Sequence, residues 1–72
     1  MKDNKWQKLF SEIKKEAEQY RIEVYSVEQL DSNRILIRHS PTWYLARNCF
    51  EPEVCRICLP YGVNPYFKEI ER

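Results

Sequence analysis

A chain of 72 residues with a net charge of +1 and 32% charged side chains has length for one small domain, taken as residues 1–72, and lacks the one-signed field that an acidic DNA decoy or a general polyanion binder needs. Hydrophobic content of 43% with a single glycine excludes a disordered tail, and no apolar run approaches the ~20 residues that span a bilayer. The opening Met1-Lys2-Asp3-Asn4-Lys5-Trp6 lacks the apolar core of a signal peptide, so the cytoplasm is the expected compartment and no membrane partner is expected.

Residues 3–20 carry the clearest pattern. Trp6, Leu9, Phe10, Ile13, Ala17 and Tyr20 recur at spacings of three and four, which predicts an amphipathic helix with its stripe on the core. Asp3 or Asn4 is placed to cap its first turn. Ile22 to Leu30 is rich in β-branched and aromatic residues and reads as a strand, and Asp31-Ser32-Asn33 is turn chemistry. Three further strands are expected at Arg34–His39, Trp43–Phe50 and Val54–Leu59, separated by turns at Ser40-Pro41-Thr42 and Glu51-Pro52-Glu53. Asn64-Pro65 resembles a cap followed by proline at the first helical position, so Tyr66 to Glu71 reads as a short closing helix. The fold class expected is therefore α+β in the order α-β-β-β-β-α, with a long N-terminal helix on a four-stranded antiparallel sheet.

Three-residue turns fix a register in which one sheet face collects Ile35, Ile37, His39, Trp43, Leu45, Cys49, Cys55, Ile57 and Leu59, interrupted by Arg47. The long helix should cover that face. The other face then carries Arg34, Arg38, Tyr44, Asn48, Phe50 and Arg56 with Leu36, Val54 and Cys58. Arginine and tyrosine among a few apolar residues is the composition of a protein-binding surface, and these six residues are the expected partner site. The same residues would suit a nucleic-acid platform, with Tyr44 or Phe50 stacking bases and the arginines on phosphates.

Three cysteines are an odd number and argue against a complete disulfide framework. Cys55-x-x-Cys58 with Cys49 and His39 supplies four soft ligands of the kind zinc takes. In a continuous strand, however, residues three apart point to opposite faces, so no metal and no cofactor is expected. There is no glycine-rich phosphate loop, and His39 stands apart from the cysteines in this register, so no catalytic residue is assigned. In outline the order resembles the double-stranded-RNA-binding domain. That module places basic residues at the start of its last helix, where Asn64-Pro65-Tyr66-Phe67 has none, so nothing is carried over from it. The function expected is non-catalytic protein binding, in the manner of a phage or mobile-element accessory protein or inhibitor docked on a larger partner. Self-association is a further expected form. Nucleic-acid binding is the first alternative and a small zinc-stabilised regulatory domain the second.

Overall fold

The computed structural model describes residues 4–71, Asn4 by its backbone alone. The capping expected of Asp3 or Asn4 lies outside the described side chains. The first helix, α1, runs Asn4–Gln19. Leu9, Ile13 and Ala17, four apart, are buried, and Trp6, Phe10 and Tyr20 pack at the margins. The helix ends where Ile22 N–H donates to the Ala17 carbonyl and Arg21 N–H to the Glu18 carbonyl. This paired cap needs a left-handed residue just past the helix, usually glycine. Here that residue is Arg21, at φ 59°.

Strands β1 (Val24–Asp31) and β2 (Arg34–His39) form an antiparallel hairpin. Its turn is held by Asp31, whose carboxylate accepts the Asn33 N–H at 3.0 Å and the Arg34 Nε–H at 2.7 Å. Register shifts after Val24 and after Gln29 mark bulges, which bend and twist an edge strand. The chain then crosses through helix α2 (Tyr44–Cys58) and a 3₁₀ turn, Leu59–Tyr61, to β3 (Asn64–Glu69). β3 lies parallel to β2, pairing Arg34 with Asn64 through His39 with Glu69, so the sheet order is β1-β2-β3.

Both helices pack on the side of β2 that carries Ile35, Ile37 and His39, giving one core with Leu9, Ile13, Phe50, Val54 and Cys58. Phe50 is its hub. Its ring meets Tyr20, His39 and Phe67 edge-on at centroid distances of 6.3, 5.9 and 5.8 Å. The side of the sheet carrying Arg34, Leu36 and Arg38 is the outer one.

The expected four-stranded antiparallel sheet with a closing helix is thus replaced by two helices and a three-stranded mixed sheet in the order α-β-β-α-β. The N-terminal helix and the first two strands stand where they were expected. Trp43–Phe50 and Val54–Leu59 are not strands. Residues 44–58 are one helix that runs through Pro52. Proline removes the bond to the carbonyl four residues earlier and costs ~3 kcal/mol in a helix interior. In α2 the carbonyl left free is that of Asn48, and Asn48 and Pro52 are both exposed, so the break lies on the solvent side of the helix. The burial of Phe50, Val54 and Cys58, again four apart, offsets the cost.

The expected closing helix is likewise a strand. Asn64 N–H donates to Asn33 and Ile70 N–H to His39. Alternate residues of a strand face opposite edges, so the nitrogen of Pro65 points away from β2, where no hydrogen is required.

Candidate functional site

The six residues expected on one sheet face are distributed over three surroundings. Arg34 and Arg38 lie on the outer side of the sheet, on β2. Phe50, expected on the surface, is fully buried. Tyr44, Asn48 and Arg56 are exposed on α2, and the helix brings them together. At about 100° per residue, the exposed positions of α2 fall within about 140° of its circumference: Tyr44, Leu45, Asn48, Cys49, Pro52, Cys55 and Arg56. Leu59, 74% exposed, continues the row because its backbone is still right-handed helical.

The chemistry of this outer face is unusual for a solvated helix. Among the described residues, five of the eight exposed side chains of α1 are charged, against one of the seven on α2. That one, Arg56, lies 3.4 Å from Glu53 on its own helix. A helix on a domain surface normally turns an apolar stripe inward and charges outward. α1 does so; α2 is largely uncharged on both sides.

Among the described residues the N-terminal end of α2 is the most exposed apolar part. Trp43 is 84% exposed, Tyr44 68% and Leu45 73%. They are held out by a loop that is itself fixed. Ser40 N–H donates to the Glu23 carbonyl at 2.8 Å, and Ser40 Oγ accepts the Glu23 N–H at 3.1 Å. Pro41 then turns the chain away. Arg47 Nη1 donates to Glu69 Oε1 at 2.8 Å, tying the first turn of α2 to the end of β3. Pro41, Thr42, Trp43 and Tyr44 line an open groove of about 380 Å³.

No family model matches the chain, and neither the curated proteins nor the solved structures give a match. The functional reading rests on the geometry.

On the outer sheet face the arginines are engaged. Arg38 donates to Glu28 at 2.9 Å, and Arg34 pairs with Asp31 at 2.5 Å. The hydrogen bond from Arg34 holds the Asp31 carboxyl below its ordinary range.

The soft-ligand set is dispersed. His39 is buried; its Nδ1 faces the Ser40 carbonyl at 2.8 Å, and Nε2 is buried without a hydrogen-bond partner in the described structure. The rings of Phe50 and Phe67 stand against the imidazole. A carbonyl only accepts, so a neutral His39 carries its proton on Nδ1. Cys49 and Cys55 are exposed and Cys58 is buried. Burial, together with the nearby Cys55, pushes the Cys58 thiol up to about 11. Among the described residues no group of three or more His, Cys, Asp or Glu side chains is placed to hold a metal ion, and no helix is long and apolar enough to cross a membrane.

Sequence reasoning missed Leu45, Pro52 and Leu59 as surface residues. Their signal was present as spacing, seven apart on one helical face. The strand reading instead put the two leucines in the core and made Pro52 a turn.

Proposed function

We propose that the chain is a non-catalytic protein-docking module whose working surface is the outer face of α2. One observation carries this reading: the solvent side of α2 bears one charge among its seven exposed residues. Large exposed apolar surface on a small protein marks an interaction site. Trp and Tyr, which stand at its most exposed end, are the residues that most often dominate binding energy. A helix laid against a partner is an ordinary mode of recognition. The groove beside Trp43 adds a recess for one partner side chain.

Nucleic-acid binding draws less support. Arg34 and Arg38 are paired with carboxylates, and α2 adds one arginine to its face, where phosphate recognition needs several free cations.

A photoreactive benzophenone side chain placed at Asn48, on the outer face, and separately at Lys15, on the wet side of α1, tests the reading in the producing cell. Adducts of defined protein mass from position 48 and none from position 15 are expected. No adduct from position 48, or the same diffuse adducts from both, contradicts it.

A further inference from the structure

The outer face of α2 is symmetric about its own midpoint, and we infer from this that the protein it receives is a second copy of the chain, with the two α2 helices antiparallel across a two-fold axis at Pro52. This rests on the docking reading above and names the partner. Seven positions before Pro52 stands Leu45 and seven after it Leu59; three before stands Cys49 and three after Cys55. All four are exposed. A two-fold interface uses one patch twice, so the patch must complement itself.

Antiparallel packing meets that condition. Leu45 of each copy meets Leu59 of the other. On one flank Cys49 meets Arg56 of the second copy, and on the other Asn48 meets Cys55. No charge faces a like charge among these pairs. The parallel arrangement would set Arg56 against Arg56, which costs energy. The proline at the crossing point has no N–H to lose.

The area is sufficient. An aromatic side chain buries about 150–250 Å². At their fractional exposures of 84% and 68%, Trp43 and Tyr44 therefore offer about 230–380 Å² per copy. In the antiparallel arrangement the Leu59–Tyr61 turn of the second copy arrives at the end of α2 that carries these rings, beside the groove lined by Pro41, Thr42, Trp43 and Tyr44. Two copies of both rings, with four leucines each about three-quarters exposed, present on full burial roughly the 1,000 Å² at which specific interfaces begin.

Sedimentation velocity over a range of concentrations tests the association. Wild type is expected at twice the chain mass of 8.8 kDa, and Leu45→Glu and Leu59→Glu at the chain mass with an unchanged circular dichroism spectrum and a melting temperature that no longer depends on concentration. Orientation is tested in a Cys49→Ser, Cys55→Ser background. Leu45→Cys and Leu59→Cys chains are mixed under air, where each disulfide joins two sulfurs, releases two protons and passes two electrons to oxygen. A covalent dimer from the mixture and none from either chain alone is expected. Covalent dimer from Leu45→Cys alone overturns the antiparallel arrangement. A wild type that stays at chain mass overturns the second copy as partner. If position 48 still gives photo-adducts with another protein, the docking reading stands without it; if it gives none, both fail.

Discussion

Replacing Phe50 with alanine separates the helical account of residues 44–58 from a strand account more sharply than any other single change. In a strand, Phe50 and Tyr44 share a face and should respond alike. In α2 they are opposed: Phe50 is fully buried and Tyr44 is 68% exposed. Phe→Ala in a core costs about 3–5 kcal/mol. Three edge-on ring contacts at 5.8–6.3 Å, each worth about 0.5–1.5 kcal/mol beyond area, put Phe50→Ala at the upper end of that range. A domain of this size has about 4–11 kcal/mol in total, so the variant should be marginal or unfolded. In protein dilute enough to be monomeric, Tyr44→Ala should stay within about 0.5 kcal/mol of wild type. Urea unfolding followed by circular dichroism reads both. With a slope near 1 kcal/mol per molar, the Phe50 variant should lose ~5 M of midpoint, or all of it if the wild-type midpoint is lower. A Phe50→Ala midpoint close to wild type, or equal losses at both positions, would refute the packing described.

The two helix-end caps make a paired prediction. Val63 N–H donates to the Cys58 carbonyl and Gly62 N–H to the Leu59 carbonyl, so Gly62 at φ 68° plays the part that Arg21 plays after α1. Arg21→Gly should stabilise by about 0.5–1 kcal/mol, because a left-handed non-glycine residue costs ~1 kcal/mol. Gly62→Ala should destabilise by a similar ~1 kcal/mol, the added Cβ meeting open space. Thermal melts of the two variants should move in opposite directions. The Cys58 thiol gives a pH prediction. Its folded pKa is raised from 9.0 to about 11, so the folded chain keeps a proton that the unfolded chain releases. Stability should fall as pH rises from about 9 towards 11. Tyr20 and Tyr61 are raised by burial too and act in the same direction. The check is therefore the difference in urea midpoint between wild type and Cys58→Ala, which should shrink across that range.

What the sequence disclosed and what it hid have one physical cause. α1 was legible because its apolar residues occupy a single stripe and its charges the rest. β1, β2 and their turn were legible because β-branched residues flank Asp31-Ser32-Asn33. Residues 43–59 were not, because α2 is apolar on two sides. Phe50, Val54 and Cys58 carry the helical spacing of the core face. Leu45, Cys49, Cys55 and Leu59 carry that of the outer face. The first set is all even-numbered and the second all odd-numbered, so each also falls on one face of an alternating strand, and Pro52 between two glutamates then looks like a turn. The same alternation inverted burial: Phe50, Val54 and Cys58 were put outside, and Trp43, Leu45 and Leu59 inside. Asn64-Pro65 misled for a local reason, since proline is as acceptable on the outward edge of a strand as at the start of a helix. Of the candidate site, Tyr44, Asn48 and Arg56 were named, but their grouping depends on α2 and was invisible without it.

The central claim is that the outer face of α2 is covered by protein in the cell. Thiol footprinting measures this directly, because Cys49 and Cys55 report from the face itself and Cys58 from the core. Intact cells and dilute purified protein are treated with the same brief pulse of a small maleimide, and labelling at each cysteine is read by mass spectrometry. The account predicts that Cys49 and Cys55 react fully in the dilute protein, are protected in cells, and become reactive in cells when Leu45→Glu is introduced, with Cys58 silent throughout. Equal labelling of Cys49 and Cys55 in cells and in dilute solution would contradict it.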